Sequence, residues 1–228
     1  RSSCVLASAG NFVGDAGASA ETPCPAGKYS GSAASECDDC VAGRLTKIDG
    51  EASCELASAG YFVGVGGSSE EVPCAAGNYS TVGATGCTPC PAGEFTDAPG
   101  QSSCTSASAG YAVDSSGSDA QTECGPGTYS AGAGATECAA CLAGSFQAGR
   151  GQTSCVLASA GSIVSGDGAS EETPCPAGEF STAGATECTP CSAGEFTDAA
   201  GQGSCTSASA GYAVEASGSD AQTECVPG

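Results

Sequence analysis

Apolar positions along the chain come in short runs and never in a sustained period. The runs CVLASAGNFV, CELASAGYFV and CTSASAGYAV, with their later copies, place a few large residues behind a stretch of Ser, Ala and Gly. A segment this short and this rich in Gly and Ser does not offset the cost of nucleating a helix. The residues after the glycine, such as Tyr61, Phe62 and Val63 or Tyr111, Ala112 and Val113, are aromatic or β-branched and suit a pleated surface. Gly- and Ser-rich stretches at 64–67 and 115–118 read as loops between them. The pattern predicts small two-stranded ribbons joined by irregular turns, with little helix.

The same pattern returns at a fixed interval. Four cysteine series advance by 50 or 51 residues: Cys4, Cys54, Cys104, Cys155 and Cys205; Cys24, Cys74, Cys124, Cys175 and Cys225; Cys37, Cys87, Cys138 and Cys188; Cys40, Cys90, Cys141 and Cys191. The chain divides accordingly into repeats at 1–50, 51–100, 101–151 and 152–201, with a partial fifth at 202–228. Each period reads as three units opened by a cysteine, of the types CELASAGYFV, CAAGNYS and CPAGEFT. Residues 91–127 nearly recur at 192–228, so two periods form a higher-order unit or record a duplication.

Gly27, Gly43, Gly77, Gly93, Gly127, Gly144, Gly178 and Gly194 each stand three residues after a cysteine. That spacing predicts a positive φ or a close approach to a disulfide. An aromatic follows two positions later: Tyr29, Tyr79, Phe95, Tyr129, Phe146, Phe180 and Phe196, with Leu45 in one unit. A flat ring there is expected to cover a disulfide and give each module a miniature core.

Composition says what must replace a large interior. The 228 residues hold 18 Cys, six Tyr and six Phe, and no Met, Trp or His. Much of the 40% hydrophobic fraction is Ala and Cys, which supply little core volume. All 18 cysteines are read as structural disulfide partners, in an oxidising extracellular or cell-surface setting. A loop of about 12 to 20 residues closed by such a bond is worth about 3 kcal/mol in the chain-entropy account. Spacing does not fix the pairing. Sequential closure joins Cys24 to Cys37 and Cys40 to Cys54, whereas crossed closure joins Cys24 to Cys40 and Cys37 to Cys54. Both leave Cys4 and Cys225 seeking partners outside the segment. A third scheme, with Cys4 to Cys24 and Cys205 to Cys225, forces a tight Cys37–Cys40 link. The two ends read as cuts in a longer repetitive chain.

Charge and residue types then exclude functions. With 26 acidic and five basic residues, the net charge is -21, which repels nucleic acid and anionic membranes. Membrane contact is expected only through a segment outside this one. The absence of His removes the usual general base and the triads built on it. The acidic pairs Asp38 and Asp39, Glu70 and Glu71, and Glu171 and Glu172 read as solvated loop charges. The C-x2-C pairs suit zinc or redox work in a reducing cell but read as disulfide partners here. No EF-hand or phosphate-loop pattern occurs. No cofactor or metal is expected beyond loose calcium association with the acidic surface. Asn78, Tyr79 and Ser80 form an N-glycosylation sequon, and Ser30, Ser80, Ser130 and Ser181 share one repeat position read as an O-glycosylation site.

The run CAAGNYSTVGATGCTPCPAGEFTDAPGQSSC, at 74–104, resembles the ephrin-receptor-like cysteine-rich repeat, a family similar in style to tumour-necrosis-factor-receptor and EGF-like modules. Related stretches begin at Cys24, Cys124 and Cys175. The resemblance implies small disulfide-rich repeats, an elongated rod of short β-hairpins and turns, and no activity of its own. The expected role is a structural component of an extracellular filament, appendage or cell-surface coat, with disulfides carrying strength along it. Its partners would be copies of itself, other filament subunits or glycans. The alternative is a receptor stalk or adhesin segment that binds protein or glycan.

Overall fold

The computed structural model describes residues 6–15, 18 and 20–226. Among them there is no helix. Twenty-six strands of two residues each pair as thirteen antiparallel hairpins. Three hairpins make one period. Lys28–Tyr29 pairs with Asp38–Asp39, Arg44–Leu45 with Glu55–Leu56, and Tyr61–Phe62 with Val72–Pro73. The first two are closed by disulfides and the third is not.

A two-residue strand cannot hold itself in water, so the hairpins depend on each other. Three sets of backbone hydrogen bonds join consecutive hairpins. The Gly27, Gly43 and Gly60 amides donate to the carbonyls of Thr46, Val63 and Ser80 in the next hairpin, at 3.0, 2.8 and 2.9 Å. In return, the Cys40, Ala57 and Cys74 amides donate to the carbonyls of those glycines, at 2.9, 2.9 and 2.8 Å. A third set runs from the amides of Gly67, Gly83 and Gly100 to the carbonyls of Cys40, Ala57 and Cys74, each at 2.8 Å. The expected positive φ is present: Gly27 has φ 87° and Gly60 has φ 86°. Close approach adds a second demand. A Cβ on Gly27 would collide with the carbonyl oxygen of Gly67, and one on Gly60 with that of Gly100.

The hairpins fall into two compact units. One comprises Arg1–Ser106 with Val113–Gln121, and the other Ala107–Ala112 with Thr122–Gly228. The interior of the first is a column of small side chains, Cys24, Cys40, Ala57, Cys74 and Cys90, all 0% exposed. Beside it Ser30, Thr46, Val63, Ser80, Thr96 and Val113 are buried in turn. The second unit repeats this with Ala107, Cys124, Cys141, Ala158, Cys175 and Cys191. Every buried side-chain nitrogen or oxygen among the described residues has a partner, as buried polar groups require.

The aromatics do not form the expected miniature cores. Tyr29, Tyr79, Phe95, Tyr129, Phe146, Phe180 and Phe196 are all only half-buried. The backbone bonds hold neighbouring hairpins so close that the space between them fits Cys, Ala, Ser, Thr or Val, not a ring. Leu45, at the aromatic position, is small enough to be buried and packs with Ala57 and Val63.

Candidate functional site

The chemistry of this chain is concentrated where each hairpin closes. In the first hairpin of a period Cys24 binds Cys37, and in the second Cys40 binds Cys54. The pattern continues with Cys74 to Cys87, Cys90 to Cys104, Cys124 to Cys138, Cys141 to Cys155, Cys175 to Cys188 and Cys191 to Cys205. Of the pairings that spacing left open, the sequential one is adopted. Partners lie 13 or 14 residues apart with Cα atoms 5.6–5.8 Å apart. One sulfur of each bond is buried in the central column and its partner lies nearer solvent. Cys4 lies outside the described residues, and Cys225 is exposed and unbonded.

All eight bonds close their own hairpin, and none links one hairpin to another. The expectation that disulfides carry strength from module to module is therefore corrected. Continuity between hairpins comes from the peptide chain and the hydrogen-bond ladder.

The third hairpin uses a different closure. It is opened by an alanine, not by the cysteine that seems to begin its unit. Cys54 belongs to the preceding hairpin, and Ala57 takes the buried position three residues before Gly60. Opposite it, fourteen residues on, stands Glu71. Its carboxylate accepts the Ser58 amide at 2.7 Å and the Ser58 hydroxyl at 3.0 Å. Glu21 does the same, accepting the Ser8 amide and hydroxyl at 2.7 Å each. Glu172 accepts the Ser159 amide at 2.6 Å. In the last hairpin a neutral amide takes this place: the Ser209 amide donates to Gln222 Oε1 at 2.7 Å, and Gln222 Nε2 donates to Ser209 Oγ at 3.2 Å.

These clamps shift the carboxylates. The Ser8 amide, then its hydroxyl, holds the Glu21 carboxyl below its ordinary value, against a small opposing effect of burial. Burial pushes Glu71 up most strongly, but the Ser58 amide, Lys47 and the Ser58 hydroxyl together outweigh it and leave the carboxyl lowered. Lys47 Nζ sits 2.9 Å from Glu71 Oε1, and this contact raises the lysine. The reading of the acidic pairs as loop charges is thus corrected in part. Glu71 and Glu172 close hairpins, and Asp38 and Asp39 form a strand, with Asp39 2.7 Å from Lys28. Glu70 and Glu171 are exposed. Cysteine spacing hid the clamp. Aligning the units on their glycines reveals it, because Ala57 and Glu71 then fall where Cys40 and Cys54 stand.

The O-glycosylation reading is corrected outright. Ser30, Ser80, Ser130 and Ser181 are 1–4% exposed. Ser30, Ser80 and Ser181 donate their hydroxyls to the carbonyls of Asn11, Tyr61 and Ser162 in the preceding hairpin, at 2.8–2.9 Å. Ser130 donates to the Gly132 carbonyl at 3.2 Å. Their position is that of Thr46, Thr96 and Val63, an interior layer with no room for a sugar. Asn78 is half-buried in its strand and its side-chain amide donates to the Ala76 carbonyl at 3.2 Å.

Among the described residues no group of three or more Cys, Asp or Glu is arranged to hold a metal ion, and no helix is long and apolar enough to cross a membrane. No curated protein matches the chain. Two stretches, 77–124 and 178–225, match a family model described as tyrosine-protein kinase ephrin type A/B receptor-like. Each match starts at the glycine of a first hairpin, three residues after its opening cysteine, and ends beyond the clamped one, so it takes in the second disulfide and the clamp whole. Over these stretches the chain is similar to ephrin-receptor-like cysteine-rich repeats.

Proposed function

We propose that this chain is a structural segment of an extracellular filament, appendage or cell-surface coat. The supporting observation is the backbone ladder within each compact unit, in which hairpins use their neighbours to satisfy their own amides and carbonyls. A module that can stand only against copies of itself suits a role that consists of repetition. The stapled hairpins favour an oxidising, extracellular location. The ephrin-receptor-like repeat is a non-catalytic module, and we extend that to the whole chain, with no enzymatic role. Copies of the chain or other filament subunits are the proposed partners, and the acidic surface keeps such material soluble.

The receptor-type family description favours a second reading, a stalk or adhesin segment that binds protein or glycan. Labelling of the native cell with an antibody against this chain separates the two. Decoration at regular spacing along isolated appendages or a coat lattice is the expected result. Diffuse label, together with saturable binding of one ligand by the monomer, would replace the structural reading with the receptor one.

A further inference from the structure

We propose that the clamped hairpins are of two kinds, acid-sensitive and acid-resistant, and that where a residue stands at the facing position it selects between a carboxylate and an amide clamp. The carboxylate clamps are Glu21, Glu71 and Glu172. At the same position the third and fifth clamped hairpins carry Gln121 and Gln222. Twenty-four residues before Glu71 stands Lys47, in contact with it at 2.9 Å. At that facing position Glu172 has Ala148, whereas Gln121 and Gln222 have Asp97 and Asp198. A carboxylate thus occupies the clamp opposite lysine or alanine, and an amide occupies it opposite aspartate. The physical reason is direct. Two carboxylates within contact distance resist joint ionisation, and an amide keeps the hydrogen bond to the serine without the repulsion.

The clamps are open to protons. Glu71 lies in a cleft lined by Ala26, Lys47, Ser69 and Glu70, with Glu55 and Tyr61 acting on Lys47 from its own side. Glu21 is exposed, and the Ser8 amide and hydroxyl hold its carboxylate. Since folding lowers the Glu21 and Glu71 carboxyls, their contribution is full above the ordinary value of 4.5 and is lost as pH falls through the lowered one. A protonated carboxyl still accepts one bond, so acid loosens these hairpins without opening the chain. The disulfides of the neighbouring hairpins do not titrate.

Hydrogen exchange of the full, oxidised chain, followed by mass spectrometry and corrected for intrinsic rates, tests this at pH 6.5 and 3.5. Acid should reduce protection about threefold or more in the hairpins of Glu21 and Glu71, and leave those of Gln121 and Gln222 unchanged. The double variant E21Q and E71Q should lose the acid response in these two hairpins. Gln121→Glu should weaken its hairpin at pH 6.5, and adding Asp97→Lys should restore it there and make it acid-sensitive. Equal acid response in the Glu21, Glu71, Gln121 and Gln222 hairpins, or a response of the first two that survives in the double variant, would overturn the proposal.

Discussion

Ala33 is the one residue other than glycine with a positive φ among those described, at 61°. It stands where later periods have Gly83, Gly134 and Gly184, and its amide donates to the Ala7 carbonyl at 2.7 Å. A left-handed alanine costs about 1 kcal/mol, so Ala33→Gly is expected to stabilise the protein by about that amount in denaturant titration. The other glycine column allows no such exchange. Gly60→Ala meets both an unfavourable φ and the Gly100 carbonyl, and should cost at least about 2 kcal/mol. The glycines were legible from spacing because their constraint is local. The serines at 30, 80, 130 and 181 were not, since an Ala/Gly/Ser segment looks like a solvated loop until the ladder places that position inside. Peptide mapping of the native protein should find all four without sugar.

At the scale of the hairpin, the chain offers an internal comparison between covalent and hydrogen-bonded closure. Ala57 and Glu71 occupy the backbone positions that Cys40 and Cys54 fill one hairpin earlier. The double substitution Ala57→Cys with Glu71→Cys should therefore form an additional disulfide, detectable by non-reducing peptide mapping. In the chain-entropy account a loop of this length adds about 3 kcal/mol, less whatever the lost Lys47 and Ser58 contacts supplied. Leu45 marks the opposite limit of this element. It is 1% exposed, against half-buried rings at the same position elsewhere, so Leu45→Ala should cost about 2–4 kcal/mol by equilibrium unfolding. Strands such as Tyr61–Phe62 and Tyr111–Ala112 were readable from the short apolar runs, and so was the shortage of helix, whereas the partner strand Asp38–Asp39 was not. Which hairpin owned Cys54 was not, because a cysteine three residues before a buried alanine gives no sign of whether it closes one ribbon or opens the next.

For the whole molecule the period, the disulfide-rich hairpin class and the family resemblance were all present in the cysteine and glycine spacing. The interior was not, because residues near the middle of each apolar run differ in size by less than the ladder requires to sort them by eye. Ring-sized residues are left at its margin, and cysteine, alanine and small hydroxyl residues fill it. Such an interior supplies little transfer free energy. Full reduction under native conditions should therefore abolish protease resistance in both units, a result read directly by timed digestion with and without reductant.

Among the described residues every staple is confined to one ribbon, so there the peptide backbone is the sole covalent route from hairpin to hairpin. A pulling force would bypass the 13 or 14 residues inside each bonded loop and stretch chiefly the intervening glutamate- or glutamine-clamped segments. Reductant should release about 45 Å of hidden contour for each bond broken. Oxidation state would then set how far the material extends before its chain goes taut.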